Sequence, residues 1–345
     1  LNKIKVGIIG AGGIAWYHIK GYQKLDNVEL VALCDVDANR VTKLGDEFNI
    51  KGRFTDYQEM LRSIELDAVS ICTPNRYHSE ISTAALEAGV NVLCEKPMAM
   101  NAREAEQMVK AQKKSDRVLM IAHHFRFRED VKVLKRAIDS GDLGNIYHIH
   151  TAWLRRNGIP GFGSWFTTKS LAGGGVLIDI GVHAIDLCMH LLNFPDIRSV
   201  VSSVGKYFSE RKEGMGGWGT PVPGGKCDVD DYAVALIKCA QGTTIYLELT
   251  WASHIKEDKL EFVVMGTEGG ATLKPLEIFS TKYGYPTDLI VKVKDNEAYA
   301  DEIAHFIDCI TTGKEPIPKG EHGVRVMRLI DAIYQSASEG KEILL

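Results

Sequence analysis

Hydrophobic and polar positions alternate with two different periods along this chain. Short apolar, β-branched runs at Lys3–Ile9, Leu30–Cys34, Ala68–Cys72, Asn91–Cys94 and Val118–Ala122 predict buried strands. Amphipathic stretches at Ile14–Lys24, Ala38–Phe48, Tyr57–Arg62, Ser79–Ala88 and Ala102–Lys114 separate them with helical spacing. Strands joined by single helices imply a parallel sheet with right-handed crossovers. The pattern changes near His123. A helix over Glu129–Ser140 stops at Gly141, and longer strands follow at Tyr147–Leu154, Val200–Val204, Tyr232–Cys239, Thr243–Trp251, Lys259–Met265 and Ala271–Lys274. The turns Ala240–Gly242 and Gly266–Gly270 predict antiparallel hairpins. Helices over Asp301–Thr312 and Gly323–Ser338 close the chain. The pattern therefore predicts two domains, 1–123 and 124–345, the first α/β and the second α+β. The segment Glu213–Lys226 holds six glycines and two prolines and reads as a loop or lid.

The first strand ends in Gly10-Ala11-Gly12-Gly13-Ile14-Ala15, and the next apolar run, Val28–Leu33, leads to Asp35. A strand, a glycine turn opening a helix, a second strand and an acidic tip form the dinucleotide-binding pattern of a Rossmann fold. Gly10 permits the turn. Gly12, with Gly13 and Ile14 behind it, brings backbone N–H groups and the positive helix end to a pyrophosphate. Ala15 is small enough for close helix–strand packing. Asp35 is placed to accept both ribose hydroxyls, which disfavours a 2′-phosphate and predicts NAD(H) over NADP(H). Arg40 is the nearby cation that works against that preference.

At 345 residues the chain can bury two cores, and 45% hydrophobic with 25% charged residues is the balance of a globular protein. A net charge of −4 with no long basic run gives no general attraction to nucleic acid or anionic membrane. The apolar runs read as too short to span a bilayer. The seven cysteines form no C-x-x-C pair and sit mostly in apolar runs, so they read as reduced core thiols of a cytoplasmic protein.

Ligands of open α/β sheets sit beyond the carboxyl ends of the strands. Two candidate segments follow strands there: Thr73-Pro74-Asn75-Arg76-Tyr77-His78 and Glu95-Lys96-Pro97. Lys96 is suited to hydrogen-bond a substrate hydroxyl and steady a developing alkoxide. A second cluster runs from Gly173 to Asp186 and places Asp179 and His183 four residues apart, on one face of a helical turn. His183 suits proton acceptance near neutral pH and Asp179 can orient it; the glycines before them let backbone pass close to a ligand. Further candidates are His123 and His124 at the end of the last Rossmann strand, Arg155 and Arg156 at a strand end, and Trp165 in a Gly/aromatic loop able to stack on a sugar ring. A metal at Asp179, His183, Asp186 and His190 is disfavoured, since nothing resembles H-E-x-x-H.

Together these segments resemble the Gfo/Idh/MocA family of NAD(P)-dependent oxidoreductases. The likeness extends through Phe125-Arg126-Phe127, Asp230-Asp231-Tyr232 and Asp331–Ser336. It implies Lys96, Asp179 and His183 as the catalytic set. Thr73, Pro74, Asn75, His78 and Glu95 join the cofactor contacts, and His124, Arg126, Arg155 and Trp165 the substrate contacts. It implies a second domain built on a large, mostly antiparallel open sheet, with substrate on one side and a neighbouring subunit of a homodimer or homotetramer on the other. His124 departs from the asparagine that many members carry there. The expected reaction is NAD-dependent oxidation of a secondary carbinol on a cyclic polyol, sugar or glycoside. Redox-assisted glycoside elimination or hydrolysis with retained NAD, and non-enzymatic dinucleotide sensing, are the alternatives.

Overall fold

The computed structural model describes residues 3–345. In its first unit, residues 1–127 and 297–327, the apolar runs form β1 (Ile4–Ile9), β2 (Val28–Cys34), β3 (Gly52–Phe54), β4 (Ala68–Ile71), β5 (Asn91–Glu95) and β6 (Leu119–Ala122). Between them lie α1 (Gly13–Tyr22), α2 (Ala38–Glu47), α3 (Tyr57–Ser63), α4 (His78–Glu87) and α5 (Ala102–Ser115). Polar side chains start several of these helices: Asp37, Asp56 and Asn101 each accept a hydrogen bond from a first-turn backbone N–H. The strands pair in parallel in the order β3-β2-β1-β4-β5-β6. Strand order reverses between β1 and β4, which opens a ligand crevice beyond their carboxyl ends.

The second unit, residues 128–296 and 328–345, opens with α6 (Glu129–Asp139) and β7 (Ile146–Leu154). A short helix α7 (Lys169–Ala172) leads through a π-helical turn, Leu177–Gly181, into α8 (Val182–Leu191). Then come β8 (Ile197–Gly205), β9 (Tyr232–Cys239), β10 (Thr244–Thr250), β11 (Lys259–Gly266), β12 (Gly269–Leu273), β13 (Leu276–Lys282) and β14 (Tyr285–Ile290). After them the chain forms α9 (Ala298–Thr312), α10 (Gly320–Glu339) and a short β15 (Ile343–Leu344). The sheet runs β14-β13-β12-β11-β7-β10-β9-β8-β15, antiparallel except for the parallel pair β7–β10.

This sheet is two-faced, as period-2 alternation requires. The paired row Val200, Ile237, Ile245, Ile149, Val264 is fully buried, whereas the adjacent row Val201, Leu236, Tyr246, His150, Val263 is partly exposed.

Three sequence expectations need correction. Residues 297–327 group with the first unit, so the second domain does not run unbroken from 124 to 345. The reason is the apolar face of α9: Ile303, Phe306 and Ile307 enter the cluster of Val6, Ile8 and Ile19, and Ile303 packs so closely on Gly21 that a Cβ there would sit 2.5 Å from its Cδ1. Second, the helical run Lys169–Leu191 is long and apolar enough to cross a membrane by length and composition, with mean hydropathy 1.5; 89% of that window is buried inside the protein, which accounts for its apolarity. Third, β3, β13, β14 and β15 lie outside the strand candidates. They are short or polar, and edge pairing rather than their own pattern holds them.

Candidate active site

In the first unit, Gly10 stands at φ +101°, and a Cβ there would lie 2.5 Å from the Cys72 backbone. Only glycine permits both the turn and this approach of β1 to β4. At Gly12 and Gly13 the space a Cβ would occupy is open to 4 Å. That opening at the N-terminus of α1 is the cradle a pyrophosphate needs. Asp35 is fixed beside it, its carboxylate accepting from Ala11 N–H at 2.7 Å and Asp37 N–H at 2.9 Å. Arg40 is exposed and pairs with Asp37 at 3.3 Å rather than with Asp35. The glycine turn, helix end and carboxylate fit a dinucleotide.

The segment after β4 is tied to the segment after β5. His78 is buried, its ring nitrogens 2.7 Å from the Pro97 carbonyl and 2.8 Å from the Thr73 carbonyl. Burial pushes its pKa down, outweighing the two carbonyls that favour the charged ring. Asn75 is also buried. Glu95 ends β5 with its carboxylate engaged inside the unit: His18 Nε2 lies 2.9 Å from one oxygen, and the Lys96 backbone N–H donates to the other at 3.1 Å. His124 stacks on Tyr299 with ring centroids 4.0 Å apart. Arg126 is buried and contacts His322 Nδ1 at 3.2 Å. Glu95, His78 and Arg126, expected among the ligand contacts, each also make an internal contact that fixes a loop.

In the second unit, Asp179 and His183 lie on the continuous helical path formed by the π turn and α8, both nearly buried. π-turns of this kind often mark functional sites. Trp251, fully buried at the end of β10, donates its indole N–H to Asp179 Oδ2 at 3.1 Å. The rings of Trp153 and His183 are 6.4 Å apart. Arg155 lies 5.2 Å from the centre of the Trp153 ring and 5.9 Å from that of Trp218. Burial lowers its pKa while Asp179 and Asp258 hold the charge. Trp165 stacks on Phe166, which meets Trp218 edge-on. Carboxylate, imidazole, guanidinium and indoles thus gather at one end of this unit.

One expectation about glycine changes here. Gly174 and Gly175 pass close to Tyr334 and Asp230 rather than to a ligand. A Cβ on Gly175 would lie 1.8 Å from the Asp230 carbonyl oxygen. The Asp230 carboxylate accepts from Gly175 N–H, Leu177 N–H and the Tyr334 hydroxyl at 2.8, 3.0 and 2.8 Å, which secures the entry to the helix carrying Asp179. The segment 213–226 is a loop, and backbone hydrogen bonds Ile159–Gly214, Gly216–Ile159, Gly161–Trp218 and Val222–Phe162 lace it to residues 159–162. Trp218 and Trp251, which the sequence reading did not single out, are the additions. Their signal was a tryptophan in a glycine loop and another at a strand end.

A parallel Rossmann unit with a dinucleotide cradle, followed by a unit carrying a histidine and a carboxylate four residues apart on one helical path, has the parts of a nicotinamide-dependent oxidoreductase. "Oxidoreductase family, NAD-binding Rossmann fold" matches residues 4–123, and "GFO/IDH/MocA C-terminal domain" matches residues 131–272. The protein belongs to the Gfo/Idh/MocA oxidoreductase family. It is 35% identical to D-glucoside 3-dehydrogenase of Escherichia coli (strain K12), covering 100% of this chain and 98% of that protein. Levoglucosan dehydrogenase of Pseudarthrobacter phenanthrenivorans is 29% identical over 98% of this chain and 97% of its own length. A solved levoglucosan dehydrogenase in complex with NADH and levoglucosan shares the fold with TM-score 0.89 at 24% identity, covering 99% of both chains.

Proposed function

We propose that this protein is an NAD⁺-dependent dehydrogenase that oxidises a secondary carbinol of a glycoside or a related sugar or cyclic polyol. The observation that carries this reading is the placement of His183 four residues after Asp179 on one helical path, with the Asp179 carboxylate held by a buried tryptophan. The full-length likeness to a D-glucoside 3-dehydrogenase and to a levoglucosan dehydrogenase supports the substrate class.

Gly10, Gly12, Gly13, Ile14 and Asp35 would hold the dinucleotide, with Thr73, Pro74 and Asn75 flanking the nicotinamide end. Bound there, the nicotinamide supplies hydride acceptance. His183 takes the proton of the reacting hydroxyl, Asp179 orients and stabilises the imidazolium, and the Lys96 ammonium stabilises the oxygen. Arg155 and Trp165 bind the remaining hydroxyls and ring face of the sugar. His124 adds a polar contact.

Asp35, with Arg40 turned to Asp37, supports NAD(H) over NADP(H). The half-exposed row that includes Val201, Leu236 and Val263 supports a homodimer or homotetramer through the open sheet face; a monomer by light scattering at micromolar concentration would refute that. Seven cysteines without a disulfide support a cytoplasmic location.

The test is to replace Lys96→Ala and His183→Ala and measure turnover and NADH binding separately. Each variant is expected to lose about 10²–10⁴-fold in kcat while binding NADH normally. Near wild-type turnover in both would remove the assignment.

A further inference from the structure

A chain of buried polar side chains runs through the first unit and ends on the backbone of Lys96. Tyr22 and Ser70 hydroxyl oxygens are 2.8 Å apart, and Ser70 Oγ is 3.0 Å from His18 Nδ1. His18 Nε2 is 2.9 Å from Glu95 Oε1, and Glu95 Oε2 accepts the Lys96 backbone N–H at 3.1 Å. His18 and Ser70 are 0% exposed, Tyr22 is 1% and Glu95 is 6%. A carboxylate only accepts hydrogen bonds, so His18 Nε2 carries the proton between them.

Burying a carboxylate is costly unless it is hydrogen-bonded and paired. Packing alone would be served as well by apolar residues of similar volume. The chain instead ends on the backbone of the residue whose ammonium the reaction uses, and it spans α1, β4 and β5.

We infer that His18 is a positioning residue for Lys96, acting through Glu95. By holding the Glu95 carboxylate in one rotamer, His18 fixes the turn that launches the lysine side chain and keeps a negative charge beside its ammonium. This rests on the reading of Lys96 as catalytic.

The charged and titratable groups around Glu95 agree with this. It faces His18 on α1, Lys96 next to it, His124 after β6, Cys72 after β4, His78 on α4, Cys94 on β5 and Tyr299 on α9. Burial raises its pKa, but the His18 hydrogen bond and charge, with Lys96 and His124, outweigh that and leave it lowered. Without His18 the burial would be left unopposed by its largest counterweight. Glu95 would then protonate at higher pH and the charge beside Lys96 would be lost.

The experiment compares His18→Ala, His18→Gln, Ser70→Ala, Glu95→Gln and Lys96→Ala. His18→Ala should lower kcat about tenfold or more with KM for NAD⁺ and NADH affinity within about twofold, because a charge-assisted hydrogen bond is lost away from the cradle. The acid limb of its kcat–pH profile should move up by about one pH unit or more. Infrared titration of the cofactor-free protein should show a buried carboxylic acid band appearing at correspondingly higher pH, a band that Glu95→Gln abolishes. His18→Gln, whose amide can still donate to Glu95, should restore most of the kcat. Ser70→Ala, which keeps every charge, should give a smaller shift in the same direction, and it serves if His18→Ala does not fold. An unchanged kcat and acid limb in His18→Ala, or a kcat loss with no shift in either titration and no rescue by His18→Gln, would overturn the inference. If Lys96→Ala were fully active, the catalytic reading beneath it would fail instead. If Lys96→Ala were inactive and His18→Ala normal, only the inference would fall.

Discussion

Replacing Asp35 with serine tests the cofactor account at the point where it is most quantitative. The carboxylate is fixed by Ala11 N–H at 2.7 Å and Asp37 N–H at 2.9 Å, so it cannot swing away from an incoming phosphate. A 2′-phosphate brings about two negative charges to within roughly 6 Å of it. Each unit-charge pair at that distance costs about 0.7 kcal/mol in water and about 2.8 kcal/mol at an effective dielectric of 20. Asp35 is half-buried, so the sum falls toward the lower end, about 1.5–3 kcal/mol, or roughly 10- to 150-fold in kcat/KM. Arg40 does not offset this, being exposed and paired with Asp37. The wild type should therefore prefer NAD⁺ by at least tenfold. Asp35→Ser should shrink that ratio about tenfold or more. It should also raise KM for NAD⁺ severalfold, since one hydroxyl cannot satisfy both amides and the ribose, while kcat at saturation stays within about threefold. Steady-state kcat/KM with both cofactors decides the matter. A wild-type preference for NADP⁺, or an unchanged ratio in Asp35→Ser, would refute the electrostatic reasoning, and the first result would point to Arg40.

Three more outcomes follow from the same geometry. Gly175→Ala places a Cβ 1.8 Å from a backbone oxygen that cannot yield cheaply; it should cost about 3 kcal/mol and lower Tm by roughly 6–12 °C in a melting experiment. Trp251→Phe removes the indole donor to Asp179 and should reduce kcat about tenfold with little change in NADH affinity, as stopped-flow binding and turnover would show. His78 has a pKa lowered by burial, so the unfolded chain binds its proton first; its contribution to stability is full above about pH 6.5 and is lost as pH falls through the folded value. Denaturant melts between pH 7 and 5 should show that loss in the wild type, and His78→Gln should flatten it.

Much of this was legible in the sequence because the residues act locally. Gly10 and Asp35 sit at the ends of strands whose apolar runs are unmistakable, and a strand–turn–helix leaves few positions where they could point. Asp179 and His183 are four apart, so any helical turn unites them. What escaped depends on contacts far apart in the chain. Gly174 and Gly175 read as places where backbone passes close to a ligand until Asp230 and Tyr334, more than 50 residues away, fill the space against them. The return of α9 to the first unit is a matter of which core its apolar face enters, and Ile303, Phe306 and Ile307 carry no label for that. His18 reads as one polar residue on an amphipathic helix; only Ser70 and Glu95, brought together by parallel strands, give it a role.

The most direct measurement is NADH formation by the purified protein against a panel of glucosides, anhydrosugars, free aldoses and inositols, with products identified by mass spectrometry. Net NADH should form in one-to-one ratio with a keto-sugar product that retains its glycosidic or anhydro bond, with turnover abolished in Lys96→Ala and His183→Ala. Release of free aglycone without net NADH would instead show a bond-cleaving enzyme that recycles its cofactor. Tight NADH binding with no turnover of any member of the panel would contradict the dehydrogenase reading altogether.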